Sequence, residues 1–287
     1  ERRKLPVDFI SAHPYPTDFP ADTDGNTKMI YSDPERSIRD ILYAKHCLEK
    51  SAYPNAEIHL TEWNSSPSPR DLVHDTAFMA PFIIDNNIKA MQLTDTLGFW
   101  TFTDVFEENA AGTSMFHGGF GMFNYQGIKK PSYYAYLFLH RLKGEIRGQG
   151  DNYIFTDDGE TLRLLVWNYC HYTPEMQNAT KAVIFPNNRY DGVFEEKSLS
   201  EEICIKLQKA TYKITVFSLS RENGSAYDLW QKNGALENLT KEEVEWLKHS
   251  SEPARTIQVR DCDEYRTSLE LPPHGVWLAE FRKIKQI

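Results

Sequence analysis

The spacing of apolar and polar residues changes character near residue 143. Before that point, short strand-like runs alternate with longer stretches of helical period. Val7-Asp8-Phe9-Ile10-Ser11-Ala12 reads as a strand, broken by Pro14 directly after His13. Ile58-His59-Leu60-Thr61-Glu62-Trp63 repeats with period two, which places Ile58, Leu60 and Glu62 on one face and ends that apolar face in a carboxylate. Gly98-Phe99-Trp100-Thr101-Phe102-Thr103-Asp104 forms a third, aromatic strand that again ends in acid and runs on into Val105-Phe106-Glu107-Glu108.

Two helical stretches separate these strands. One starts near Asp33 with Pro34 in its opening turn and gathers Ile38, Ile41, Leu42 and Leu48 on one side. The other covers roughly 71–87, with Leu72, Phe78, Phe82 and Ile83 apolar and Pro81 as a kink. Strand, helix, strand, helix, strand predicts a parallel sheet, whose C-terminal ends would bring the His, Glu and Glu-Glu residues to one rim.

From about Gly144 onward the runs are strand-like and separated by turns. Tyr153-Ile154-Phe155, Leu162–Asn168, Ala182-Val183-Ile184-Phe185, Tyr212–Phe217 and Val276–Phe281 read as strands, with a hairpin turn at Asp157-Asp158-Gly159. One helix interrupts them: Thr240 as N-cap, Glu243 completing a capping box, and Leu239 with Val244 as a hydrophobic staple. The division expected is therefore an α/β part over 1–142 and a β-sandwich over 143–287. Trp167, Trp230, Trp246 and Trp277 fit packing positions better than sugar platforms.

A carboxylate at the mouth of a core strand loses hydration and needs a hydrogen-bond partner, a counter-charge or a reaction. Aromatic rings beside such carboxylates suit a sugar, whose C–H faces stack on rings while its hydroxyls bond to the acids. Carbohydrate chemistry is the reading these residues favour.

At this point a family resemblance enters. Thr61-Glu62-Trp63-Asn64-Ser65-Ser66, Val73-His74-Asp75-Thr76, Phe99–Glu108, Phe116-His117-Gly118-Gly119-Phe120-Gly121 and Lys130-Pro131-Ser132-Tyr133-Tyr134 resemble glycoside hydrolase family 39 β-xylosidases. Leu219–Trp230 and Leu271–Val276 resemble that family's C-terminal β domain. The resemblance implies a (β/α)8 TIM barrel with retaining chemistry, of which this chain supplies the last three strand-helix units, followed by the β-sandwich. It implies Glu62 as nucleophile, with His13 and Tyr15 lining the subsite for the non-reducing sugar. Trp100 matches a platform tryptophan, Glu107 and Glu108 an acidic pair that binds sugar hydroxyls, and Asn64 a residue that orients the nucleophile.

Two departures stand out. Pro67 follows Asn64-Ser65-Ser66 where relatives often carry an aromatic residue. Retaining hydrolysis also needs a second carboxyl group about 5–5.5 Å from the nucleophile, and the Asn-Glu step that carries it in the family is absent from this sequence. The chain is therefore expected to be a fragment holding the nucleophile half of a site. Its open sheet edges, and faces expected to be apolar, predict self-association.

Composition bounds the alternatives. At 287 residues, with 40% hydrophobic and 25% charged positions, the chain is large enough for two domains. A net charge of −9 argues against a nucleic-acid partner for this segment, because phosphate contacts require clustered Lys and Arg. Cys47, Cys170, Cys204 and Cys262 are scattered without metal-ligand spacing, so no metal and no cofactor is expected. No membrane-length apolar stretch occurs, and a cytoplasmic setting is expected. The expected partner is a xyloside or related small oligosaccharide. A different class of function, sugar sensing without turnover, is implied by relatives fused behind an AraC-type DNA-binding region.

Overall fold

The computed structural model describes residues 5–18, 30–31, 33–106, 112–178 and 184–284. Its first part contains β1 (Phe9–Ala12), β2 (Thr17–Asp18), β3 (Ile30–Tyr31), α1 (Arg36–Glu49), β4 (Glu57–Trp63), α2 (Met79–Ala90), β5 (Thr96–Phe99) and α3 (Pro131–Arg141). β1, β4 and β5 form a parallel three-stranded sheet in that order, while β2 and β3 pair separately. One face of the sheet is covered: Ile58 and Leu60 pack against Ile38, Ile41 and Leu48 of α1 and Ala90 of α2. The opposite face is more polar than the sequence pattern suggests. It carries the Ser11–Thr61 hydroxyl pair at 2.7 Å and His59, bonded to Glu57 and Thr96, with Phe9 packed edge-on against the His59 ring.

Pro81 does not kink a helix, because the helical stretch read over 71–87 is two elements. A 3₁₀ turn spans Leu72–Asp75, capped by Asp71, which accepts a hydrogen bond from the Val73 amide. α2 then begins at Met79, so Pro81 falls in its first turn, where a missing N–H costs no intrahelical bond.

The second part contains β6 (Glu145–Gln149), β7 (Tyr153–Asp157), β8 (Thr161–Trp167), α4 (Pro174–Asn178), β9 (Leu199–Leu219), α5 (Ala226–Lys232), α6 (Lys241–Ser250), β10 (Ala254–Leu271) and β11 (Val276–Lys283). The β7–β8 hairpin turns where expected, with Gly159 at φ +86° and Asp158 accepting from the Glu160 and Thr161 amides. The Thr240–Glu243 capping box forms at the start of α6. α4 and α5 were not read from the sequence, although each has a start signal: Thr173 before Pro174 accepts from the Met176 amide, and Ser225 caps α5 by accepting from the Asp228 amide. Of the strand read at 182–185, residues 182 and 183 lie outside the described residues, and Phe185 bridges back to Asn188 in a turn.

Two separate sheets, as a sandwich requires, are not what the strands form. They make one antiparallel sheet in the order β10-β9-β11-β8-β7-β6. Its long β9–β10 ribbon changes register midway: Leu207, Gln208 and Lys209 together face Asp263 alone. Beyond that bulge the ribbon folds back over the sheet. Tyr265 of β10 meets Phe281 of β11 with ring centroids 4.9 Å apart, and Asn152 donates to Glu201 at 3.2 Å. Two layers thus arise from one sheet bent upon itself.

The largest core runs through both parts. Trp63, Phe78, Phe82 and Ile83 belong to the same buried cluster as Trp167, Phe194, Trp230 and Leu278. The Phe78 ring alone lies 4.5 Å from Phe194 and 5.1 Å from Tyr172, and the Trp167 indole donates to Asp85 at 3.1 Å. The change at residue 143 is one of sheet type and not of core. Trp277 is also buried, whereas Trp246 is half exposed.

Among the described residues no helix is long and apolar enough to cross a membrane. Two buried histidines carry a pH signature. Burial, with the Arg221 charge, pushes His274 down from 6.5 to about 3, and burial also lowers His74. A histidine depressed in the folded state takes its proton first in the unfolded chain. The His274 contribution is therefore complete above pH 6.5 and is lost as pH falls towards 3, by about 1.4 kcal/mol per pH unit, and that of His74 is lost in the same direction. Urea unfolding between pH 6.5 and 4 should show this slope, and His274→Asn, which suits the positive φ of that position, should flatten it by up to one proton.

Candidate active site

The site is built on a break in the pairing of β4 with β5. Leu60 pairs with Leu97 and Trp63 with Phe99, so Thr61 and Glu62 together face the single residue Gly98. The alternation is interrupted there. Trp63, fully buried and stacked on Phe82 at 5.1 Å, continues the covered face of Ile58 and Leu60. Glu62 is turned away from that face, contrary to the period-two reading, and its side chain keeps 21% exposure. Gly98 permits the bulge: a Cβ there would lie 3.1 Å from the Thr61 carbonyl oxygen and 3.2 Å from that of Leu60.

The turned carboxylate meets residues from the end of β1. The Tyr15 hydroxyl donates to Glu62 Oε1, and His13 Nδ1 stands 3.5 Å from Oε2. The other His13 nitrogen lies 3.2 Å from Thr61 Oγ1, so one imidazole spans both residues of the bulge. A carboxylate fixed by a phenol, beside an imidazole and still open to solvent, is suited to act as nucleophile or base.

Asn64 is fully buried and ties strand ends together. Its Nδ2 donates to the Trp100 carbonyl, and its Oδ1 accepts from the Ser65 amide at 2.7 Å. The Trp100 amide in turn donates to the Trp63 carbonyl at 2.8 Å, and the Trp100–Thr101 peptide is cis. The Trp100 ring packs edge-on against Phe106 at 5.0 Å. His13, Tyr15 and Glu62 are thus in contact, and Asn64, next on the same strand end as Glu62, is bonded to Trp100 at the end of β5. Glu107 and Glu108 lie outside the described residues.

What the sequence reading missed is a buried charge cluster that joins the segments following β4 and β5. Lys130, at 0% exposure just before α3, reaches Asp75 and Asp104 at 2.6 Å each and donates to the Gly119 carbonyl at 3.0 Å. Arg189, from the second part of the chain, reaches the other Asp75 oxygen at 2.7 Å and donates to the Phe116 carbonyl at 2.5 Å. Its guanidinium lies 4.0 Å from the Tyr227 ring centroid. Asp75 also accepts from the Gly118 amide, and Asp104 from that of Gly121. Burial raises both carboxyl groups. For Asp75, Lys130 and Arg189 overcome that and hold it down to about 2; for Asp104 burial prevails and the group stays raised. Lys130 is held above its ordinary value by its two carboxylates despite burial. The available signal was a lysine beside the apolar start of α3, but Lys129 is its neighbour and lies at the surface.

The sequence model of glycosyl hydrolases family 39 matches residues 1–263. A β-xylosidase of Caldicellulosiruptor saccharolyticus is 31% identical over 276 residues, which are 95% of this chain and 53% of that protein. An uncharacterized HTH-type transcriptional regulator of Staphylococcus aureus is 21% identical over 227 residues, 78% of this chain and 29% of that protein. The GH39 enzyme from Xanthomonas axonopodis pv. citri superposes with a TM-score of 0.83 at 25% identity, covering 99% of this chain and 56% of that one. The chain spans about half the length of the β-xylosidases it matches.

Two substitutions test the construction. Lys130→Met leaves two buried carboxylates short of a counter-charge and should cost about 3–5 kcal/mol in urea unfolding. Gly98→Val drives a branched side chain into the Leu60 and Thr61 carbonyls; a loss of about 1–3 kcal/mol by the same assay is expected.

Proposed function

Because this chain belongs to glycosyl hydrolases family 39, we propose that it is the nucleophile-bearing part of a retaining glycoside hydrolase that removes terminal β-xylosyl residues. β1, β4 and β5 are read as the sixth to eighth strands of a (β/α)8 barrel, and residues 143–287 as its accessory β domain. The observation that carries the reading is the bulge, which aims Glu62 at the strand ends beside His13 and Tyr15.

In this reading a Glu62 oxygen attacks the anomeric carbon while the glycosidic bond breaks, and the leaving oxygen takes its proton from a second carboxyl group elsewhere in the longer protein. Water, deprotonated by that same group, then displaces Glu62 and releases the sugar. Tyr15 holds one carboxylate oxygen and so orients the other towards the sugar. Trp100 serves as a platform for the ring, Asn64 fixes that platform to the nucleophile strand, and Glu107 and Glu108 bind hydroxyls.

The match to an HTH-type regulator supports a second reading, sugar sensing, which uses the same contacts without turnover. One experiment separates the two. The chain is incubated with a 2-deoxy-2-fluoro-xyloside bearing a dinitrophenolate leaving group, which needs little acid assistance, and its intact mass is followed. A one-sugar adduct on the Glu62 peptide, absent from Glu62→Gln, is the expected result. Saturable xyloside binding with no adduct favours the sensor, and an adduct on a different carboxylate overturns the assignment of Glu62.

A further inference from the structure

The two edges of the six-stranded sheet are finished differently. β6 is five residues long and breaks register between Ile146 and Gly148, which blunts it as a template. β10 instead runs in unbroken register along β9 from Ala254 to Cys262 and has no strand on its outer side among the described residues. Every residue from Arg255 to Asp261 is exposed, and no Lys, Pro or Gly interrupts the run. Ile257 and Val259, 52% and 62% exposed, lie on the same face.

We infer that this edge is an interface with a second copy of the chain, formed by antiparallel pairing of the two β10 strands about a twofold axis at Gln258. The sequence of the exposed run is complementary to itself in that register. Arg255 falls opposite the partner's Asp261, and Ile257 opposite the partner's Val259, each pair occurring twice by symmetry. These four positions share one face, so each strand presents two β-branched residues flanked by opposite charges. The other face pairs Thr256 with Arg260 and sets the two Gln258 amides side by side on the axis.

Other registers lose this match. Centring on Ile257 puts Arg255 against Val259, centring on Val259 puts Ile257 against Asp261, and parallel pairing puts Arg255 beside Arg255. The bounds of the run also fit: Pro253 closes it on one side and the bulge between Cys262 and Glu264 on the other. The charged ends are partly ordered by β9, since Arg255 stands 5.5 Å from the Phe217 ring centroid and Asp261 accepts from Thr211.

Sedimentation equilibrium at about 100 μM chain should show a dimer. Arg255→Asp and Asp261→Arg each set like charges opposite one another twice, and each should weaken association about tenfold or more. The double variant restores both pairs and should associate as the parent does. An equimolar mixture of the two single variants should form a heterodimer, because each then supplies what the other lacks. Circular dichroism verifies that the variants remain folded. A monomer at that concentration overturns the inference. So does an assembly indifferent to these substitutions, which would move the contact to another surface such as the outer edge of β1, unpaired among the described residues.

Discussion

The contact between the Lys130 ammonium and the carboxylates of Asp75 and Asp104 is the constraint on which the candidate site depends. With Arg189 the cluster holds two cations and two anions, so its charges balance inside a region that water does not reach. Such a group seldom exceeds a well-packed apolar core in stability, because desolvation consumes much of the attraction. Its value here lies in geometry. Asp75 belongs to the turn after β4, Asp104 to the segment after β5, Lys130 to the entry of α3 and Arg189 to the antiparallel part. Four stretches of chain far apart in sequence are held at one point, and two of them, through Asp75 and Asp104, are the segments that follow the strand ends carrying Glu62 and Trp100.

That arrangement changes how the two parts of the molecule relate. The antiparallel sheet is no appendage: Phe194, Trp167 and Leu278 complete the same core that Phe78 and Phe82 begin, and Arg189 completes a charge cluster begun by Asp75. The segment after β5 is also held from that side, since Glu237 accepts from the Ser114 hydroxyl at 2.6 Å and from the Met115 amide at 2.7 Å. The segments that follow the parallel strands are therefore held in part by residues of the antiparallel part.

How much of this could be read from the sequence depended on how local each determinant is. The Asp158-Gly159 hairpin and the Thr240–Glu243 capping box are decided within a few residues, and both were legible. The order of parallel elements was legible because apolar period distinguishes strand from helix. The face to which Glu62 points was not, because it is set by Gly98 on another strand. The fold-back of β9 and β10 was equally hidden, since a bulge of three residues against one leaves no mark in composition. Lys129 and Lys130 are adjacent and alike in sequence; only the arrival of two distant carboxylates decides which is buried.

Asn64 shows a further consequence. Asn64-Ser65-Ser66 has the form of an N-glycosylation acceptor, and the amide nitrogen to which a glycan would be joined donates to the Trp100 carbonyl in a residue with no exposure. An oligosaccharide attached there before folding would hold the ends of β4 and β5 apart, and none could be added afterwards. In a glycosylating host, quality control would therefore separate two populations at this asparagine: unmodified chains that close this junction, and glycosylated ones that cannot.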